Sequence, residues 1–188
     1  MNRSSRIQVP LLAALMFVAA CGYNTIQTLD EKVNQAQGQI QTQLQRRSDL
    51  IPNLVNTVKG ITKQEDTVFI SIANARARLS GAVQSGNVPE MAAANQQLSQ
   101  GLGRLLAIAE NYPQLQSSQN FRQLQEQLEG TENRIAVARQ DYNTAVGEYN
   151  AFIRRFPYNL TAKVFGMGKP RAYFEAAEGA KEVPKVQF

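Results

Sequence analysis

"QAQGQIQTQLQRR" (residues 35–47) carries a glutamine at every second position from Gln35 to Gln45. A period of two is the mark of a β-strand with one wetted face, whereas an amphipathic helix repeats its apolar residues at three and four. The two readings lead to different folds. Ile26, Leu29 and Val33 precede the stretch, and with Ala36, Ile40 and Leu44 they form one apolar series in steps of three and four. The helical period therefore reaches beyond the alternation on its N-terminal side. Among the residues between the glutamines only Ile40 and Thr42 are β-branched, while Gln, Ala and Leu are good helix formers. The stretch reads as helix, with its glutamines expected on an exposed, solvated face.

Beyond Arg47 the apolar stripe continues through Ile51, Leu54 or Val55, Val58 and Ile61. Pro52 has no N–H for the carbonyl of Ser48, so one helix with a kink is expected. Gly60 offers a stop, and Thr62 with Glu65 matches a capping box for the next helix. In that helix Val68, Ile72, Ala75, Leu79 and Ala82 repeat at helical spacing, and "SGAVQSGNV" (80–88) supplies a turn. A third helix follows Asn87, with Pro89 in its first turn and Met91, Ala94, Leu98, Leu102, Leu105, Ile108 or Ala109, and Tyr112 on its apolar face. From Ser117 to Phe156, between Pro113 and Pro157, a seven-residue frame places Phe121, Leu128, Ile135, Tyr142, Tyr149 and Phe156 at one seam position. Leu124, Thr131, Ala138, Ala145 and Phe152 hold the other, and Thr131 alone is polar. This predicts a last helix of about 40 residues, ~60 Å long. The fold class that follows is all-α: an antiparallel up-and-down four-helix bundle with two long terminal helices.

The chain has 188 residues, enough for one domain with a real core. Its start, "MNRSSRIQVPLLAALMFVAAC", has Arg3 and Arg6, an apolar run from Ile7 to Val18, and small residues up to Cys21. The run is shorter than the ~20 residues of a straight membrane span and contains Pro10, so it reads as a secretory signal over residues 1–20, the alternative being a retained single-pass anchor. Val18-Ala19-Ala20-Cys21 resembles a bacterial lipobox, with valine where leucine is usual. Cys21, the one cysteine in the chain, is then the lipid anchor, and no internal disulfide is possible. Residues 21–160 are assigned to the bundle and 161–188 to a partly disordered tail. Loss of Arg3 and Arg6 lowers the net charge from +5 to +3, which is mild, and no basic stripe with stacking aromatics points to nucleic acid. With Gly22 rather than Asp after the cysteine, the expected place is the bacterial envelope, the outer membrane facing the periplasm in a Gram-negative host.

The motif "QRRSDLIPNLVNTVKG" (45–60) resembles the LemA family. The likeness continues through "NARARL" (74–79), the long stretch from "ENYPQLQ" (110–116) to "YNLTAKVFG" (158–166), and "PRAYFE" (170–175), covering roughly residues 23–176. The resemblance implies a membrane-anchored bacterial protein with a LemA-like antiparallel four-helix bundle, associated with membrane remodelling and with neighbouring membrane proteases. Members commonly carry an N-terminal transmembrane segment; this chain departs from them in its lipobox-like cysteine. No activity is implied.

Chemistry is sparse. The chain has no histidine, so Ser-His-Asp and Cys-His catalysis are excluded and zinc and copper lose their usual ligands. No cofactor, metal or small-molecule substrate is expected. Glu126, Glu129 and Glu132 share one face of the last helix, where an envelope hydrolase would place paired carboxylates, but a solvated acidic face with helix-surface pairs explains them as well. Arg46, Arg47 and Asp49 are candidates for an interaction surface or for structural ion pairs, with Glu132 or Glu129 facing them in an antiparallel register. Arg154, Arg155, Lys163, Lys169 and Arg171 form a basic cluster with no acid between residues 149 and 174, a candidate contact with anionic lipid headgroups beside Cys21. The expected function is a non-enzymatic, membrane-anchored helical scaffold or adaptor for protein partners or membrane organisation.

Overall fold

The computed structural model describes residues 3–60 and 66–175, with side chains from Gly22 onward. Among these residues there are helices and turns but no strand. The helices are α1 (Arg3–Lys59), α2 (Asp66–Ser85), α3 (Val88–Ala109), α4 (Pro113–Gln116), α5 (Gln119–Phe152) and α6 (Tyr158–Val164). The protein is all-α, with two long terminal helices and two shorter ones between them; α4 and α6 are additional short turns of helix. Residues 3–21 lie within α1, and their side chains, Cys21 included, fall outside the described residues, as do Ile61, the Thr62–Glu65 box and residues 176–188.

The opening stretch lies in the middle of α1, and the helical stripe is the buried one: Ile26, Val33, Ala36, Ile40 and Leu44 are in the core, with Leu29 half-buried. The glutamines differ from the expectation of simple solvation. Gln35, Gln39 and Gln45 are exposed, but Gln37 and Gln41 are half-buried. Their Nε2 groups donate to the Gly86 and Val83 carbonyls, at 3.0 and 3.3 Å. The Val83 carbonyl, in the last turn of α2, also accepts from the Gly86 N–H at 3.3 Å, and the Gly86 carbonyl lies in the bend after that helix. A long uncharged amide reaches them where a shorter side chain would not.

The chain forms two compact units: residues 1–36 with 141–172, and residues 37–140 with the chain from 173 onward. In the second unit the later part of α1, α2, α3 and the first part of α5 enclose a core that includes Ile51, Leu54, Ile72, Leu79, Met91, Leu98 and Leu105. Phe69 replaces the expected Val68 as the first buried residue of α2. Asn87 caps α3 by accepting from the Glu90 N–H at 3.4 Å. In the first unit α1 from Gly22 onward meets the end of α5 and α6. Lys32 pairs with Glu148 there at 3.7 Å, while in the second unit Arg47 pairs with Glu132. Within the second unit Arg47 meets Glu132 while the later Asn53, Asn56 and Thr57 share a groove with the earlier Asn120, Gln123 and Leu124, as an antiparallel pairing of α1 and α5 requires.

Two features of α5 depart from the seven-residue frame. The buried positions run Phe121, Leu128, Thr131, Ile135, Ala138, Tyr142, Val146, Tyr149 and Asn150, with Ile153 buried just past the helix, so that Val146 and Ile153 lie in the core where Ala145 and Phe152 were expected. A straight helix drifts ~20° per heptad against a 3.5-residue repeat, which over several heptads amounts to about one residue. The helix also stops at Phe152, short of Phe156, which is 79% exposed rather than in the seam. Pro157 lacks an N–H and disfavours helical geometry at the residue before it, so the helix ends upstream. Thr131, the polar residue of the seam, satisfies its hydroxyl on the Leu128 carbonyl at 2.7 Å.

Pro52 sits within α1, which continues past it to Lys59. The Ser48 carbonyl that Pro52 cannot serve accepts from Nε of Arg76 on α2, at 2.9 Å. Replacing Arg76 with Met is therefore expected to cost about 1–3 kcal/mol by leaving that carbonyl unpaired. In a Pro52→Ala background, where residue 52 regains its N–H, the same replacement is expected to cost much less. Urea unfolding of the four proteins measures the coupling, and additive effects would contradict this role of Arg76.

Candidate functional site

Arg46 and Arg47 are one residue apart, about 100° around the helix, and the core separates them. Arg46 is exposed; Arg47 is 5% exposed. The Arg47 Nη1 donates to Asn95 Oδ1 on α3 at 2.8 Å and forms the ion pair with Glu132 on α5, while Nε has no partner. Burial pulls its pKa below the usual arginine value, and the Glu132 carboxylate opposes that shift. Ser48, beside it, is buried and shares a 3.3 Å hydroxyl contact with Ser80 of α2. Arg47, Ser48, Ser80, Asn95 and Glu132 thus form a polar layer linking four helices of the second unit. Within this layer Arg47, Ser48 and Asn95 are buried and bonded to neighbouring helices.

The outward residues of the same segment line a shallow groove. Arg46 and Asp49 border it with Gln41, Thr42, Gln45 and Leu50. Asp49 accepts from Gln45 Nε2 at 2.8 Å. Glu126 and Glu129 are exposed on α5, and Glu129 accepts from Gln125 at 3.2 Å. Glu132 is drawn to Arg47, so the three carboxylates do not converge on one reaction space. Among the described residues no group of three or more Cys, Asp or Glu could hold a metal ion.

The basic cluster lies in the first unit, where a chain reversal organises it. α6 ends in a Schellman motif: the Met167 N–H bonds the Ala162 carbonyl at 2.7 Å and the Gly166 N–H bonds that of Lys163 at 3.3 Å. Gly166 supplies the required left-handed backbone with φ +72°. Residues 167–172 then run as a strap over α5. The Tyr149 hydroxyl donates to the Met167 carbonyl at 2.9 Å and the Tyr142 hydroxyl to the Ala172 carbonyl at 2.8 Å. The Asn150 side chain holds both backbone groups of Arg171, donating to its carbonyl at 2.9 Å and accepting from its N–H at 2.8 Å.

This docking separates Arg171 from the other members of the cluster. Its Nη2 and Nε donate to Asp30 Oδ1 of α1 at 2.7 and 3.1 Å, closing a link from the strap to the first helix. Arg154, Arg155, Lys163 and Lys169 are exposed. Next to them, the start of the side-chain-resolved part of α1 is packed on α6. A Cβ on Gly22 would stand 2.6 Å from the Tyr158 ring, and Tyr23 meets Phe165 with ring centroids 4.7 Å apart. Only glycine allows α6 to approach α1 so closely. Asp30, Arg76, Asn95 and Asn150 were not legible as site residues, because each gains its role from a partner distant in sequence. The polar Asn150 beside the seam residue Tyr149 was the nearest hint.

The fold and these two polar constellations define a helical-bundle protein in which Arg47 with Glu132 and Arg171 with Asp30 tie separate parts of the chain together. The chain belongs to the LemA family, whose family model matches residues 36–188. Magnetosome proteins MamQ 1 and MamQ 2 of Paramagnetospirillum magneticum are each 27% identical to it over 198 residues, spanning 91% of this chain and 72% of their own length. Magnetosome protein MamQ of Magnetospirillum gryphiswaldense is 26% identical over 198 residues, spanning 92% and 72%. Among the described residues no helix is long and apolar enough to cross a membrane.

Glu132→Leu is expected to destabilise the protein by about 1–3 kcal/mol, less than for a fully buried pair because Glu132 is half exposed and Arg47 keeps Asn95. Arg47→Met in the same chain is expected to restore part of that loss, and a double-mutant cycle from chemical unfolding reads the coupling. Burial raises the pKa of Tyr142 and of Tyr149 above the ordinary 10.0; Asp30 adds to the rise at Tyr149, and Arg171 opposes it at both. Both phenols are then still neutral in the folded protein where the unfolded chain has begun to ionise. Stability is expected to be unaffected by them below that ordinary value and to fall as pH rises above it. Tyr142→Phe should weaken the alkaline loss, as followed by helical circular dichroism against pH.

Proposed function

We propose that this LemA-family protein is a non-enzymatic scaffold on a bacterial envelope membrane, attached through its N-terminus by a lipid on Cys21, with its polar helix faces offered to protein partners. One observation carries the reading. Gly22 and Tyr23, which follow the apolar run and Cys21 directly in the sequence, pack on α6, so that a lipid on Cys21 would hold the first unit at the membrane surface. Family membership supports attachment to a membrane. The inward use of Arg47, Glu132, Asp30 and Arg171 supports a structural rather than a chemical employment of the polar groups. The outward face of α1, with Gln35, Gln39, Gln45 and Arg46 exposed, is long and weakly charged, and its groove beside Arg46 and Asp49 suits an extended polar peptide. A lipid-modified cysteine with two or more acyl chains provides stable anchoring at about 0.8 kcal/mol per buried methylene.

In a bacterial host the full chain is expected to take up labelled palmitate and to sediment with membranes. Cys21→Ser should abolish the label and release most of the protein to the soluble fraction. An unlabelled wild-type chain that stays with the membrane equally well as Cys21→Ser would replace the lipid by a retained helix. Cross-linking in intact cells from Gln39 or Arg46, each replaced by a photoreactive residue, is expected to capture one discrete protein partner, and capture of none from either position would count against the scaffold.

A further inference from the structure

α6 has two unlike faces. Thr161 and Ala162 are buried against the first unit, and Tyr158 stacks on Phe152 with ring centroids 4.4 Å apart. On the other side Leu160 and Val164 stand at i and i+4, with Phe156 one turn before them and Phe165 just after. Their exposures are 55%, 80%, 79% and 52% in that order. Four large apolar side chains within ten residues turned to solvent form a patch of the kind that marks an interaction surface rather than scattered surface residues. Arg154, Arg155, Lys163 and Lys169, all exposed, flank these residues in the sequence, and no acid occurs from Tyr149 to Phe174.

We infer that α6 with Phe156 is an interfacial membrane wedge: Phe156, Leu160, Val164 and Phe165 enter the boundary between headgroups and acyl chains, and the four cations bind anionic headgroups. The first unit then lies against the bilayer instead of trailing from its anchor. An apolar face bordered by Lys and Arg is the composition of segments that lie in the plane of a membrane surface. Basic side chains there meet the negative potential of anionic lipid. Position agrees with composition, since Gly22 lies under Tyr158 and Tyr23 against Phe165, and Cys21 and the apolar run Ile7–Val18 directly precede them in the sequence. A second copy of the chain suits the patch poorly. A two-fold interface would set the same basic residues against themselves. The inference rests on membrane attachment as proposed above, and the test separates the two.

The chain has no tryptophan, so Val164→Trp introduces a single reporter at an exposed position. The full-length variant is reconstituted into phosphatidylcholine vesicles with brominated acyl chains, with and without phosphatidylglycerol, and recovered by flotation. With phosphatidylglycerol present, the emission is expected to shift to the blue and to be quenched at least ~2-fold, as for a ring at the acyl boundary. Phe156→Trp should behave alike, and Ala77→Trp on α2 should keep a water-like, unquenched emission. Arg154→Glu with Arg155→Glu, or omission of phosphatidylglycerol, is expected to reduce the quenching. Chains that float with the vesicles while the reporters of both V164W and F156W remain water-like and unquenched would overturn the wedge and leave the anchor standing. Chains that fail to float would overturn both. Quenching independent of phosphatidylglycerol would remove the cations from the proposal.

Discussion

The structure depends on covering the apolar stripe of α1. A helix of 57 residues gains little from intrinsic propensity, and most of its stability comes from what its stripe packs against. From Ile26 to Val58 that stripe is fully enclosed at nearly every core position, first by the end of α5 and by α6, then by α2, α3 and the beginning of α5. One continuous helix therefore supplies a wall to two compact units. Its period of 3.6, not the two-residue rhythm of the glutamines, is the feature that packing selects. The same selection acts on α5, where burial follows the natural turn of the helix and leaves the heptad frame behind.

Polar groups inside the bundle answer specific needs of the backbone and of each other. Pro52 deprives Ser48 of an intrahelical donor, and Arg76 provides one from the neighbouring helix. Gln37 and Gln41 add side-chain donors to carbonyls at the end of α2. Arg47 is different, because a buried cation costs free energy that one half-exposed carboxylate and one amide only partly offset. Such a layer adds little to stability compared with leucines in its place. It ties α1, α3 and α5 to one register, since a slip along the helix would strand the guanidinium among apolar side chains.

In the first unit the organising problem is a chain reversal. Gly166 ends α6, Asn150 holds the strap by both backbone groups of Arg171, and the guanidinium of that residue reaches Asp30 on α1. The arrangement removes Arg171 from the basic surface and fixes α6 so that its apolar face looks outward. The exposed apolar side chains and the cations near them in the sequence are the features on which the proposed seating of α6 rests. Scaffolding through the polar faces and seating through α6 are compatible, because the residues involved are different.

The sequence alone determined the helical class, the two long terminal helices, most core positions, the family and the candidate anchor. These depend on local periodicity, on punctuation by proline and glycine, and on motifs contiguous in the chain, all of which are read within a few turns. Tertiary structure decided which of two adjacent arginines is buried, which glutamines cap a distant helix, where α5 stops, and which member of the basic cluster is held by an acid. Arg46 and Arg47 have the same chemistry, as do Lys169 and Arg171 in charge, and nothing local distinguishes them. Their fates follow from partners 48 to 141 residues away, brought within hydrogen-bonding distance only when the helices pack.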